Sequence, residues 1–269
     1  MRRSITRLRS HLADILKHRE ILFFLALKDI KIRYRFSSLG FLWAIISPLG
    51  QMIILSIVFT FVIRFEIRAY PAFLLIGLLP WSYFNLSLNY TTTSIVDHGG
   101  LIKKIYFPRE IIPLAQIASN LFDYCVALCI LAPFLLFFHV GLSWWILLLP
   151  VALLIQVMFT AGISLIFSSL TVYYRDIKYI KELVLMFGFY ASPVFYPASF
   201  IEKNLGRGAY LVYHLNPMAG IIHLYRRIFY EQAAPSIVLL LYALVVSLII
   251  LAFGFVVFER HERSFADLV

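Results

Sequence analysis

Charged residues are scarce in this 269-residue chain, and the long stretches without any decide its class. Asp, Glu, Lys and Arg make up 14% of the residues, whereas about a quarter is usual in soluble domains. Hydrophobic residues make up 62%, and the mean hydropathy is +0.87. We therefore expect an all-α integral membrane protein, because helices satisfy their own backbone hydrogen bonds inside lipid.

Cysteine is nearly absent as well. Cys125 and Cys129 lie four residues apart in an apolar segment, and a metal site would need more ligands nearby, so we expect them to be packing residues. The first 20 residues are polar and basic, and no small-residue cleavage site follows the first apolar run. The sequence thus predicts a retained N-terminus without a removable signal peptide.

The motifs of nucleotide-binding and hydrolytic proteins are also missing. No GxxxxGK[ST] occurs, and residues 99–104 lack both its spacing and its hydroxyl. GxSxG and HExxH are absent too. We therefore expect no enzyme activity and no cofactor in this chain, so that any ATP-driven work would need a partner. The net charge of +10 does not indicate nucleic acid, because the cations lie at the ends and between apolar runs.

Asp123 is the one acidic residue that falls deep inside an apolar segment. Ion-coupled carriers usually hold several such groups or a pair of broken helices at the membrane midplane. The only fracture, around Pro193 and Pro197, lies near the end of a run. This inventory argues against secondary transport.

What is present begins with an abrupt boundary at residues 27–51, LKDIKIRYRFSSLGFLWAIISPLGQ. Four cations precede an uncharged run that lasts to Arg64, longer than the roughly 20 residues of a membrane span. Cations stay on the cytoplasmic side, so the N-terminus is predicted to lie inside. The four cations are Lys28, Lys31, Arg33 and Arg35.

Apolar runs predict six spans between an N-terminal segment 1–38 and a cytoplasmic tail 259–269. The fifth is short and irregular, and a long connection, 198–235, follows it. With both termini inside, 18 of the 24 lysines and arginines fall on the cytoplasmic side, which favours this orientation. The predicted spans are 39–63, 71–96, 111–138, 144–172, 178–197 and 236–258.

Residues 11–36 are predicted to form an amphipathic helix on the membrane surface. Phe23, Leu27, Ile30 and Tyr34 recur at helical spacing, and most of the cations point elsewhere. The alternative is a solvated basic tail with a short hydrophobic patch.

Neutral polar residues form stripes inside the spans. Gln116, Asn120 and Asp123 share one helical face. They form either hydrogen bonds between helices or the lining of a path for a hydroxyl-rich substrate. Aromatic residues, 17% of the chain, allow interfacial belts or rings that stack on sugars. The candidate path residues are Trp81, Tyr83, Asn85, Asn89, Gln116, Asn120, Asp123, Tyr190 and Tyr196.

Four segments carry a family resemblance: KDIKIRYRFSSLGFLWAIISPLGQ, LIKKIYFPRE, NPMAGIIHLYRRIF and ERHERSFADL. They resemble, in the same order, the membrane subunit of type-2 ABC exporters of cell-surface polysaccharides such as O-antigen, capsule and teichoic acid. The resemblance implies a homodimer in the bacterial inner membrane, paired with two cytoplasmic ATPase subunits that bind ATP and Mg²⁺. The substrate would be a lipid-linked polysaccharide, moved between the two permease subunits.

The resemblance also implies roles for particular segments. The basic helix before Ser37 would lie beside the ATPase. The loop 97–110 would contain a coupling helix, and residues 198–235 would form short re-entrant gate helices on the outer side. The coupling residues would be Leu101, Ile102, Lys103, Lys104, Tyr106 and Phe107.

Two alternatives stay open from the sequence. An ABC permease for a drug or a small lipid would share the fold. A membrane-embedded transferase would work without any ATPase and would depend on an acidic residue, of which Asp123 is the best candidate.

Overall fold

The computed structural model describes residues 16–35, 37, 39–64, 66–262 and 264–268. The fold is all-helical as predicted, with 81% of the residues in helices and no strand in these described ranges. Residues 1–15 and 36, which belong to the predicted N-terminal segment and its surface helix, lie outside the described part of the chain.

Five helical segments are long and apolar enough to cross a membrane. The first is α2, Trp43–Ile57, extended by a π-helical turn, Val58–Val62. The others are α3, Tyr70–Thr92, α6, Ile111–Phe137, α7, Leu149–Tyr173 with a preceding 3₁₀ turn, Trp144–Leu148, and α11, Ile237–Glu262.

Seven shorter α-helices and a 3₁₀ turn, Gly40–Leu42, complete the described fold. The helices are α1, Arg19–Tyr34, α4, Ser94–Asp97, α5, Gly99–Ile102, α8, Ile177–Ala191, α9, Ala198–His214, α10, Pro217–Phe229, and α12, Phe265–Leu268. Helix α9 contains a kink at Gly206. Side-chain Oδ1 of Asn216 caps α10 by accepting from the backbone N–H of Met218 at 3.0 Å.

Helices α7 and α11 pack closely because glycines meet at their crossing. A Cβ on Gly254 would lie 2.4 Å from the carbonyl oxygen of Gly162, and one on Gly162 would lie 2.6 Å from the backbone of Ile250. Small residues allow backbones to approach in this way where apolar burial gives little drive for association. The last long helix is thus held against the bundle through its backbone.

Among the described residues, the core consists of two apolar clusters, the larger of which joins all five long helices; the two ends of the bundle are called here basal and distal. The basal end holds the smaller cluster, which joins α1, α5, the start of α6 and the C-terminal helix through Leu25, Ile102, Ile111, Phe258 and Phe265, among others. The distal end holds the connections near residues 64–70, 138–143 and 226–235, which hydrogen bonds tie together. Both described ends of the chain lie at the basal end.

The predicted fifth span, 178–197, is helical only as far as Ala191. Helix α8 has 15 residues, so its length of about 22 Å falls short of a hydrocarbon core of about 30 Å. The chain then continues without regular helix through Ser192 and Pro193 until α9. A helix ends before proline because the residue preceding it avoids the helical conformation.

Helix α1 packs on the bundle through Leu25 and Ala26, which are buried. Phe23 and Leu27, which belong to the apolar face predicted to lie on the membrane surface, are exposed. The small side chain of Ala26 allows close packing on the bundle, and an aromatic outer face suits contact with lipid. Arg33 lies on the buried side, while Lys28, Lys31 and Arg35 are exposed.

Candidate functional site

A cavity of about 790 Å³ lies between α1, α2, α3, α6 and α8. Seven of the nine predicted path residues line it: Trp81, Tyr83, Asn85, Asn89, Asn120, Asp123 and Tyr190. Helix α2 adds polar groups that the sequence analysis did not select: Ser47 and Gln51. The cavity is partly open in the single chain, so it is accessible to a ligand.

Asp123, the deep acidic residue, forms an ion pair with Arg33 of α1. Arg33 also donates from Nη2 to Oδ1 of Asn120 at 2.7 Å. The hydroxyl of Tyr34 donates to Oδ1 of Asp123 at 2.7 Å. Burial, followed by this hydrogen bond, raises the pKa of Tyr34 to about 12, so the phenol remains a donor at neutral pH. The carboxylate thus has a cation and a neutral donor as partners.

Two asparagines of α3 that line the cavity, Asn85 and Asn89, are linked by hydrogen bonds to a lysine of α8. Asn89 donates from Nδ2 to Oδ1 of Asn85 at 2.7 Å, and its own Oδ1 accepts from Nζ of Lys181 at 2.6 Å. Lys181 is buried, and Glu182 beside it lines the cavity. Hydrogen bonding between helices and lining of a cavity, which the sequence posed as alternatives, coincide here.

Aromatic rings form another wall of the cavity. Trp81 lies edge-on to Phe189, with ring centroids 5.7 Å apart, and Gly188 leaves room for its indole. Tyr190 is 63% exposed, so its ring is available to a ligand. Tyr83 is buried and stacks on Tyr124 at 5.0 Å.

The other two predicted path residues lie outside the cavity lining. Gln116 is half-buried, and its side-chain oxygen has no hydrogen-bond partner within the described part of the chain. It lies two helical turns from Asp123 toward the start of α6, away from the cavity. Tyr196 lies in the irregular segment after α8 and donates to the backbone oxygen of Tyr190 at 2.8 Å. Its ring is buried among distal aromatic residues.

Residues 192–196, called here the distal break, are held by a buried arginine. Arg226 of α10 donates to the carbonyl oxygens of Val194 and Tyr196 at 2.9 and 3.0 Å, and its guanidinium lies 3.6 Å from the centre of the Phe73 ring. Arg226 falls in the connection 198–235, which was predicted to lie on the outer side, so it was expected to be a solvated charge. In the structure it is only 4% exposed. Its position three and four residues from apolar neighbours on α10 would have indicated the buried face.

Further side chains complete the hold on the distal break. The hydroxyl of Tyr70 donates to the carbonyl of Phe195 at 2.7 Å, and Asn216 donates to the carbonyl of Ala191 at 3.1 Å. Non-helical backbone at membrane depth is tolerated only where protein satisfies it. The distal break meets that condition through α3 and α10.

At the basal end, the predicted coupling residues divide into anchors and an exposed tip. Ile102 and Phe107 are buried in the basal cluster, and Leu101 packs against it. Between them the chain turns outward, and Tyr106 is 99% exposed. This basal tip consists of Lys103, Lys104, Ile105 and Tyr106, all exposed. Ile105 was not among the predicted coupling residues.

The two cysteines and the acidic residues give no sign of another site. Cys125 and Cys129 are free and exposed on α6, on a face that points away from the protein interior. The sequence analysis expected them to be packing residues, but in the single chain they do not pack in the core. Among the described residues, no cluster of His, Cys, Asp or Glu could hold a metal ion.

Comparison with known proteins now decides the family. Residues 21–230 match the model of the ABC-2 type transporter membrane family. The chain belongs to this family. It is therefore a multi-pass membrane subunit of an ABC transporter and not an enzyme; the ATPase of such a system lies in a partner.

Named relatives match nearly the whole chain. The O-antigen export system permease protein RfbA of Myxococcus xanthus is 32% identical over 256 residues, covering 95% of this chain and 98% of the relative. RfbA of Klebsiella pneumoniae is 30% identical over 244 residues, covering 90% and 92%. The polysialic acid transport protein KpsM of Escherichia coli is 24% identical over 254 residues, covering 89% and 93%.

For an ABC-2 family subunit, the arrangement brings together a polar and aromatic cavity and an exposed basal tip. Most of the path residues that the sequence pattern predicted line the cavity, since residues spaced by three and four share a helix face. The pattern missed the contributions of Arg226 and Lys181, because both look like loop charges when burial is unknown.

Proposed function

We propose that this chain is the permease subunit of an ATP-driven exporter of a lipid-linked polysaccharide, such as O-antigen, across the bacterial inner membrane. The observation that carries the proposal is the cavity, in which amide groups and aromatic rings face one space. Sugars offer hydroxyls to amides and C–H faces to rings. The named relatives, which match 89–95% of the chain, are O-antigen export permeases and a polysialic acid transport protein.

Two copies of the chain and two ATPase subunits would form the transporter. Helices α2 and α8, which line the cavity, also carry exposed apolar residues, among them Ile53, Ile57, Leu183 and Phe187. A second copy packed on these residues would close the cavity into a path between subunits. The basal tip would contact the ATPase, because its exposed ring and two cations stand clear of the bundle while buried anchors fix its position.

In the proposed transporter, each permease subunit would cross the membrane six times, with both termini on the cytoplasmic side. Helix α8 leads from the basal end, where Tyr173 contacts His261, to the distal end, where Asn216 holds Ala191. With the distal break added, this segment is long enough to complete a crossing that its 15 helical residues alone do not span. Helices α9 and α10 would then form the outer re-entrant gate.

A labelling experiment tests this orientation. In a chain with Cys125→Ala and Cys129→Ala, we expect Asn204→Cys to react with a membrane-impermeant maleimide in intact spheroplasts. Gly100→Cys should react only after the membrane is opened. The reverse pattern would invert the proposed topology. Both positions are exposed in the structure, so failure to react reports sidedness rather than burial.

Deletion of the gene tests the substrate. We expect loss of surface polysaccharide and accumulation of the lipid-linked polymer inside the cell, with recovery on complementation. The same accumulation should follow replacement of the Walker lysine in the adjacent ATPase. Unchanged surface polysaccharide with altered drug susceptibility would favour a drug or lipid exporter. Absence of the polymer from the cell altogether, independent of the ATPase, would favour a transferase.

The ion pair at Asp123 argues against the transferase alternative. A general base needs a free carboxylate in reach of the substrate, whereas Asp123 is 6% exposed and already bound to Arg33 and Tyr34. A paired carboxylate is better suited to hold helices together than to accept a proton.

A further inference from the structure

The end of α1 is joined to α6 by a compact polar network. Arg33 forms the ion pair with Asp123 and hydrogen bonds to Asn120, and Tyr34 binds the same carboxylate. Residue 123 lies 12 positions into α6, about 18 Å along its axis. Helix α1 is thus fixed to a point well inside the bundle and not only to the basal surface.

The network also reaches α3 and the cavity. The guanidinium of Arg33 lies 4.8 Å from the centre of the Tyr90 ring of α3. Arg33, Tyr34, Tyr90 and Asp123 all line the cavity. A shift of α1 along α6 must therefore either break the ion pair or move the cavity wall.

The apolar contacts of α1 define its position along α6 less sharply than the polar network does. Leu25 and Ala26 pack in the basal cluster through apolar contacts, which are not directional. A guanidinium paired with a carboxylate and an amide oxygen has a defined geometry. The polar network therefore sets the register of α1 against α6.

We infer that Arg33 is a positioning residue that transmits movement of α1 to the cavity wall through its ion pair with Asp123. The inference rests on the proposed function for one point, that an ATPase acts on the basal end beside α1. Arg33 and Asp123 hold α1, α3 and α6 as one body, so that force applied at the basal end changes the cavity. Loss of the pair would leave ATP hydrolysis running with less export.

Export per ATP hydrolysed, measured for the whole transporter, tests the inference. Arg33→Gln and Asp123→Asn should each lower this ratio roughly two- to thirtyfold, the range of coupling energies between linked sites. The exchange Arg33→Asp with Asp123→Arg should recover much of the loss. Arg68→Gln, which removes an exposed cation at the distal end, away from the proposed ATPase contact, is the control and should leave the ratio unchanged. Normal ratios in both single variants would overturn the inference.

Cross-linking keeps the inference testable if the single variants are poorly inserted. Arg33→Cys and Asp123→Cys, in a chain with Cys125→Ala and Cys129→Ala, should be joined by a short bifunctional thiol reagent in native membranes. Coupling should be low before cross-linking and should rise after it, because the link replaces the ion pair. Export blocked by the cross-link would show that α1 must separate from α6 and would overturn the inference, as would failure of the two thiols to react.

The wild-type chain separates failure of this inference from failure of the proposed function. If the wild-type gene does not restore surface polysaccharide in the deletion strain, the polysaccharide assignment fails. The role of Arg33 is then decided by the cross-link and by the response of ATP hydrolysis to the permease.

Discussion

Helical structure is interrupted at both ends of the bundle, at the distal break and at the basal tip. The two interruptions differ in what binds their backbone. At the distal break, Arg226, Tyr70 and Asn216 reach in from other helices and occupy the backbone carbonyls. At the basal tip, the backbone bonds are local, with Lys104 and Ile105 donating to the carbonyl of Leu101. The distal break is held by the protein itself, whereas the basal tip is shaped locally and left exposed.

The difference shows which side chains are used to stabilise the fold and which remain available for a partner. A polar break at membrane depth must be satisfied internally, so the distal end commits buried polar groups to it. The basal tip lies in water on the proposed orientation, so its side chains remain available to another protein. Changes at the distal break should therefore affect stability, and changes at the basal tip should affect partner binding alone.

Removal of the buried guanidinium should have the largest effect on stability. Arg226→Met would leave the carbonyls of Val194 and Tyr196 without donors, at about 1–3 kcal/mol for each. We expect a clear fall in the thermal midpoint of the purified permease and in its amount in membranes. Arg227→Met, which removes a partly exposed ion pair with Glu231 and hydrogen bonds to the carbonyl of Ala234, is the control, because water can replace those partners at the surface. Equal thermal midpoints for the two variants would contradict the claim that buried side chains stabilise the distal break.

Filling the space beside the distal break should have the next largest effect. A Cβ on Gly77 would lie 2.6 Å from the carbonyl oxygen of Val194 and 3.1 Å from Nη2 of Arg226. Gly77→Ala should push the break away from its donors and cost about 1–3 kcal/mol by overpacking. Gly208→Ala, where no atom lies within 4 Å of the added Cβ, should unfold at the wild-type temperature. An unaffected Gly77→Ala variant would show that the break is loosely held.

Loss of the cap on α10 should have a smaller effect of the same kind. Asn216→Ala removes the bond from the backbone of Met218 and the bonds that Nδ2 donates to the carbonyl of Ala191 and to Oγ of Ser192. Removal of such a cap costs about 1 kcal/mol. Asn216→Asp separates the two contributions, because it keeps the cap and loses the donor to Ala191. Thermal unfolding of the three proteins should place it between wild type and Asn216→Ala.

The basal tip should show the smallest effect on stability and a large effect on partner binding. Ile105→Ala with Tyr106→Ala removes two exposed side chains, so the thermal midpoint should stay unchanged while the ATPase no longer co-purifies. Lys103→Glu with Lys104→Glu should likewise uncouple hydrolysis from export. Phe107→Ala, which empties a buried anchor, should lower stability instead. Full ATPase binding by both tip variants would refute the proposed contact.

Prediction from sequence succeeded where a local pattern carries the information. The long uncharged runs match the five long helices, because length and lack of charge suffice to describe a helix in lipid. Helical spacing placed Asn120 and Asp123 on one face, and both line the cavity. It did not indicate that α1 packs on the bundle through Leu25 and Ala26, because a small alanine gives little signal for a buried face.

The sequence by itself determined that the chain is a helical membrane protein, that it contains no GxxxxGK[ST] motif, and which family its segments resemble. Only the tertiary structure decided that Arg33 pairs with Asp123, 90 positions away, and that Arg226 is buried on the distal break. The physical reason is that helix periodicity assigns residues to faces, whereas the choice of which faces meet depends on packing of the whole bundle. The partners of a buried charge follow from that choice.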